Sequence, residues 1–246
     1  MKYQIILSYD GKKYNGWQKQ GNTTNTIQEK LEAMLSRRFG ETVTVQGAGR
    51  TDAGVHALAQ SASFSLSCPI ERITDTLQEL NSYLPEDIRI LKLIPREERF
   101  HARLNASGKH YQYRLCTGTI QSPFERNYSL HVTEPLCLEK MQDAAREFTG
   151  THDFIAFCSN KHMKKSSIRT IHKITFSEKN NILSIDFYGD GFLYHMIRIL
   201  TGTLIEVGAG RMNVESISEI LSKKDRALAG PCVPGKGLFL VEVFYE

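Results

Sequence analysis

The chain has no paired cysteines. Its five, Cys68, Cys116, Cys137, Cys158 and Cys232, stand singly with no CxxC spacing, which argues against a zinc site or a disulfide framework and reads as reduced filler. Long apolar runs are missing too, and none approaches the roughly 20 residues needed to cross a bilayer. The opening MKYQIILSYDGKKY carries a short apolar run, but polar residues interrupt it and no small-residue cleavage site follows; a cytoplasmic protein is the expectation. Low-complexity tracts are absent, and 41% hydrophobic with 24% charged residues is the composition of a folded chain. The eight histidines form no HxH or HExxH spacing, so no metal site is expected.

What is present is a chain of 246 residues, enough to bury a substantial core as one large domain or two smaller units. Lys and Arg number 31 against 27 Asp and Glu, a net charge of +4, which is weak evidence for an anionic partner. The distribution says more. Between Asp153 and Glu178 there is no acid, while Lys161, Lys164, Lys165, Arg169 and Lys173 fall inside. A second acid-free window, residues 102–124, carries Arg103, Lys109 and Arg114. Such stretches are candidate phosphate-binding surfaces or, equally on charge alone, solvated loops.

Residues 2–9 read as a strand closed by the Asp10-Gly11 turn signal. Thr26 with Glu29 forms a capping box, and Ile27, Leu31, Met34 and Leu35 then recur on one helical face. Strands follow at 42–46 and 59–66, then a helix through Ile70, Ile73, Leu77 and Leu80, then a strand at 88–94. After Phe100 the order repeats: a strand at 110–116, a helix through Leu138, Met141, Ala145 and Phe148, and strands at 170–176 and 183–187. Helical patterns at 192–207 and 214–221 and a closing strand at 238–245 complete it. The expected fold is α+β, with two tandem ferredoxin-like β-α-β-β-α-β units, residues 1–100 and 101–246, whose antiparallel sheets join side by side around a central cleft.

The segment GAGRTDAGVHA, residues 47–57, lies between two expected strands. Its glycines permit backbone conformations closed to other residues and close approach of another chain. Gly47, Gly49 and Gly54 do not make GxGxxG and no Lys-Ser/Thr follows, so a nucleotide-phosphate loop is a poor match. Arg50 and Asp52 are the segment's only charged residues. On the residues alone they are a loop ion pair, an Asx turn or a catalytic pair.

GRTDAGVHA resembles the signature of the tRNA pseudouridine synthase A family, unbroken over nine residues. YDGKKYNGWQKQ, FHARLNASGKHYQYR, DGFLYHMIRILTGTLIEVGAGR and GLFLVEVFY resemble the same family in the same order, so the likeness spans essentially the whole chain. Small departures stand at Lys12, Ile197 and Cys232, where the family usually has Thr, Val and Thr; Lys12 and the basic loop could alter which RNA is chosen. The resemblance implies an isomerase of uridine in the anticodon stem-loop of tRNA, at positions 38, 39 and 40, working as a homodimer with no cofactor.

It also implies roles. Asp52 is the nucleophile, since a carboxylate can form and then release a covalent adduct on the sugar or the uracil ring; which of the two it attacks stays open. A carboxylate against an apolar base needs a cationic partner, and the resemblance assigns this to Arg198, able to form two parallel hydrogen bonds. Strand alternation puts Tyr111 and Tyr113 on one face. By resemblance Tyr111 stacks on the uracil and handles the proton on its carbon 5, while Tyr113 packs. A stacked uridine must be flipped to react, and Arg50 resembles the residue that assists; a plain phosphate contact is its alternative. His56 and His195 read as hydrogen-bonding supports. From their charge, Lys161, Lys164, Lys165 and Arg169 are expected to contact tRNA phosphates.

Two rival readings are a non-catalytic RNA-binding protein and a nucleotide-dependent enzyme. The first expects RNP-type aromatic stretches, which the sequence lacks; the second expects a phosphate loop. A member of the same family with a different RNA target is a further alternative.

Overall fold

The computed structural model describes residues 1–160, 163 and 165–245. They form two compact units, Met1–Ser107 with Phe239–Glu246, and Gly108–Leu238. Both mix strands and helices, and the fold class is α+β.

In the first unit β1 (Lys2–Tyr9) buries Tyr3, Ile5, Leu7 and Tyr9, the alternate residues of a strand with one face on the core. It pairs antiparallel with β3 (His56–Ser65) on one side and β4 (Ile88–Arg96) on the other. The second edge of β3 is shared. The two-residue β2 (Gln46–Gly47) lies antiparallel against Ser63 and Ala62, while β10 (Leu238–Tyr245) runs parallel with Phe239 opposite His56. β3 thus sits between β1 and β2, the split arrangement of a β-α-β-β-α-β unit.

Helix α1 (Ile27–Phe39) starts as its sequence prescribes. Thr26 Oγ1 accepts from the Glu29 amide at 3.3 Å, and Gly40, in the left-handed region at φ 68, closes the far end. Its first two amides, orphaned in any helix, donate to the carbonyls of Gly16 and Trp17 at 3.1 and 3.0 Å. The strand expected at 42–46 shrinks to β2 because its amides find other partners. Val43 N–H donates to Ser36 Oγ and Val45 N–H to Glu32 Oε1, at 2.9 and 3.0 Å, so α1 side chains replace a ladder. Helix α2 (Ile73–Tyr83) buries Leu80 beneath β4.

The second unit orders its strands β5 (Ala106–Cys116), β9 (Ile182–Gly189), β8 (Ile168–Lys179) and β7 (Gly150–Asp153), all antiparallel. A two-residue β6 (Leu130–His131) runs parallel to the end of β5. Helix α3 (Leu138–Glu147) buries Met141, Ala144 and Ala145. Helix α4 (Met196–Gly208) is buried nearly all round, as a helix apolar on every face must be. It begins four residues later than its apolar pattern because His195 takes left-handed angles, φ 64 and ψ 4. A short α5 (Ser216–Lys223) follows. Segment 230–234 lies hard against α4: a Cβ on Gly202 would meet the Pro231 oxygen at 1.9 Å, and Gly230 N–H donates to Thr203 Oγ1 at 2.9 Å. No helix among the described residues is long and apolar enough to cross a membrane.

Candidate active site

Residues 47–57 form a clamped loop. Trp17 N–H donates to the Thr51 carbonyl at 3.0 Å and Gly54 N–H to the Tyr14 carbonyl at 3.4 Å. Gln60 Nε2 donates to the Gly49 carbonyl at 3.0 Å, and the buried hydroxyls of Tyr9 and Thr51 bond each other at 2.8 Å. Close approach is required at two glycines of the first motif. A Cβ on Gly11 would meet the Val55 oxygen at 1.9 Å, and one on Gly16, at φ +89, the Thr51 oxygen at 2.6 Å. Gly47 faces the Trp17 ring, whose atoms would lie 2.6 Å from a Cβ. Burial pushes the Tyr9 phenol up, against the opposing bonds from Thr51 and Gln60, so it serves as a neutral anchor. With Thr51 held inward, Arg50 is exposed and Asp52 half-buried. The Asp52 carbonyl accepts from Val55 N–H at 3.1 Å, closing a turn in which Gly54 has φ +75.

His56, 2% exposed, stacks on Phe239 at 4.8 Å and 23°. Its Nδ1 is 3.1 Å from Gly11 N–H and 3.0 Å from Asp10 Oδ1. One nitrogen cannot serve both: bare, it accepts from Gly11; protonated, it donates to Asp10. Either arrangement ties the start of β3 to the Asp10-Gly11 turn, the supporting role expected of it.

In the second unit β5 presents Tyr111 and Tyr113 to the same buried side. The Tyr111 ring meets Phe192 edge-on, 5.3 Å between centroids at 84°. Tyr113 is fully buried and donates its hydroxyl to the Pro234 carbonyl at 2.7 Å. Burial pushes its phenol up, with Arg198 pulling the other way. Arg198, on the first turn of α4, donates Nε to the neighbouring carbonyl of Val233 at 2.7 Å. Tyr113 and Arg198 therefore grip consecutive carbonyls of one segment, and that grip orients the guanidinium. His195 Nδ1 lies 2.9 Å from Ser159 Oγ, joining the start of α4 to the foot of the basic loop.

On the opposite face of β5, His110 Nε2 and Gln112 Nε2 both reach Asp186 Oδ1, at 2.7 and 3.0 Å. Of the basic-loop residues, Lys165 is exposed, and Arg169 is half-buried on β8 with Nη1 donating to the Ser166 carbonyl at 2.9 Å. Lys161 and Lys164 lie outside the described residues. Among the described residues no group of three or more His, Cys, Asp or Glu is placed to hold a metal ion.

Arg50 and Asp52 thus share one loop of the first unit, while Tyr111, Arg198, Lys165 and Arg169 belong to the second. Tyr9, Gly16 and Trp17 have no role in the sequence-based reading and Gly11 only that of a turn, yet they build the loop's seat. The signal was available in YDGKKYNGWQKQ, with its two glycines and the chain's single tryptophan.

The family model described as tRNA pseudouridine synthase matches residues 5–105 and 144–246. A tRNA pseudouridine synthase A of Bacillus sp. (strain KSM-64) is 44% identical over 240 residues, 97% of each chain. A tRNA pseudouridine synthase A 2 of Clostridium tetani (strain Massachusetts / E88) is 44% identical over 246 residues, 99% of this chain and 98% of its own. Among solved structures, one chain in a crystal structure of a Cbf5-Nop10-Gar1 complex is a distant likeness, with TM-score 0.39 and 14% identity over 83% of this chain and 45% of that one. Matched by the family model in both halves and by these relatives over nearly its whole length, the chain belongs to the tRNA pseudouridine synthase family.

Proposed function

We propose that this member of the family isomerises uridine to pseudouridine in the anticodon stem-loop of tRNA, with Asp52 as the nucleophile. One observation carries the reading: the loop that bears Asp52 is fixed from several sides through Tyr9, Trp17, Gln60 and the close approach of Gly11 and Gly16, while Asp52 itself is only half-buried. A pre-organised nucleophile is what covalent catalysis needs, since reacting atoms must be held to within about an ångström.

In the reaction the bond from ribose C1′ to ring N1 breaks and a bond from C1′ to C5 forms. The C5 proton leaves and N1 gains one, so no oxidant or reductant is consumed. Asp52 forms the transient adduct, Tyr111 stacks on the uracil and handles the C5 proton, and Arg198 balances the carboxylate charge. Arg50, exposed beside Asp52, assists extrusion of the base at a cost of a few kcal/mol. Lys161, Lys164, Lys165 and Arg169 contact phosphates. The family resemblance further supports a homodimer acting in the cytoplasm.

The test is incubation of the purified chain with an unmodified tRNA transcript and no added cofactor, followed by chemical mapping of pseudouridine. Modification of anticodon stem-loop uridines is expected; a transcript left wholly unmodified overturns the reading.

A further inference from the structure

Between β5 and β6 the chain makes a loop, residues 117–129, which falls in the gap between the two segments matched by the family model. It is ordered by its own bonds. Gln121 Nε2 donates to the Ser129 carbonyl and hydroxyl at 3.2 and 2.9 Å, Ser129 Oγ donates to the Glu125 carbonyl at 3.0 Å, and His131 Nε2 lies 2.8 Å from the Gly118 carbonyl. Yet it presents large apolar side chains to solvent, with Phe124 85% and Ile120 86% exposed. Exposure alone calls for no partner; what surrounds Phe124 decides.

The charges around Phe124 point to the chemistry of a partner. Arg126 is exposed and turns its guanidinium back to the Pro123 carbonyl, beside Phe124. Lys236 Nζ donates to the Arg126 carbonyl at 2.9 Å, adding a second cation. The loop's one acid, Glu125, is half-buried. It acts on the guanidinium of Arg114, which desolvation pulls down and the charges of Glu125 and Asp186 raise. Exposed Phe124 thus stands beside two cations, Arg126 and Lys236, the pairing that binds single-stranded nucleic acid by base stacking and phosphate contact.

We propose that Phe124 is a stacking platform for an unpaired tRNA base other than the target uridine, with Arg126 and Lys236 on the flanking phosphates. The proposal rests on the tRNA reading above and adds a second contact to it. The test compares the affinity of the full chain for unmodified tRNA in wild type, Phe124→Ala, Phe124→Leu, Phe124→Tyr and Arg126→Ala. Each chain's mass in solution and thermal unfolding are measured alongside.

Loss of one stack is expected to weaken binding about fivefold or more in both Phe124→Ala and Phe124→Leu. Phe124→Tyr should restore it, because stacking needs a π face and an apolar contact does not. Arg126→Ala should lower the log–log salt slope by somewhat under one unit. Wild-type affinity in Phe124→Ala overturns the proposal. So does a Phe124→Ala chain that changes its state of association while Phe124→Leu does not, which would make the loop a contact between copies. Formation of pseudouridine by the wild type in the same tRNA tests the catalytic reading separately.

Discussion

Trp17 donates its backbone N–H to the carbonyl of Thr51, one residue before Asp52, at 3.0 Å. The same residue's carbonyl accepts from Gln28 at the start of α1, and its ring covers Gly47 at the start of the loop. Helix, first motif and the Asp52 loop therefore meet at one residue, 2% exposed. Moving Trp17 moves the backbone that carries Asp52.

Gly47→Ala should force that movement. Its new methyl would lie 2.6 Å from the Trp17 ring, overpacking that typically costs about 1–3 kcal/mol. Turnover should fall further than stability suggests, on the order of 100-fold, because displacement of a reacting group by about an ångström has that effect. Urea unfolding and single-turnover assays on one preparation separate the two losses. An active Gly47→Ala protein would show that the loop tolerates displacement.

Tyr9 and Thr51 should behave as a coupled pair. Tyr9→Phe or Thr51→Val alone leaves a buried hydroxyl or its partner short of a bond, at about 1–3 kcal/mol. The double variant should cost less than the sum, with a coupling of at least about 0.5 kcal/mol in a double-mutant cycle. Strict additivity would mean that the 2.8 Å contact contributes nothing to holding the loop.

Much of this was legible beforehand, and the misses have physical causes. The strand at 2–9, the shared face of Tyr111 and Tyr113 on β5 and the start of α1 at Thr26 followed from turn signal, period and capping box. The strand expected at 42–46 survives only at its end, in β2: Val43 and Val45 are buried, but side chains of α1 satisfy their amides, and no periodicity reveals that. β7 escaped notice because its four residues, Gly-Thr-His-Asp, carry no apolar face. The apolar run through Leu193 continues the pattern of α4 although the backbone breaks at His195, since hydrophobic spacing is blind to a single left-handed residue. The close crossing of Gly202 and Gly230 joins residues far apart in the chain, beyond the reach of local pattern.

Tyr111→Phe should separate binding from turnover. The ring and its edge-on contact with Phe192 remain, so tRNA affinity changes little, while loss of the hydroxyl lowers turnover by about 100-fold or more if it transfers the C5 proton. Equal turnover in Tyr111→Phe and wild type would confine Tyr111 to stacking.

The basic loop is tested by salt. Replacing Lys164 and Lys165 with Ala should weaken tRNA binding at moderate salt and reduce the log–log slope by somewhat under one unit per contact removed. An unchanged slope with unchanged affinity would make this stretch a solvated surface and send the RNA elsewhere.

The central claim is that Asp52 acts in the chemistry, and it is tested most directly by pseudouridine formation in Asp52→Asn and Asp52→Ala proteins. Unmodified tRNA and saturating enzyme are used, with tRNA affinity and thermal unfolding measured alongside. Both variants are expected to fold, to keep much of their affinity for tRNA, and to form no pseudouridine. Substantial turnover by Asp52→Ala would contradict the account.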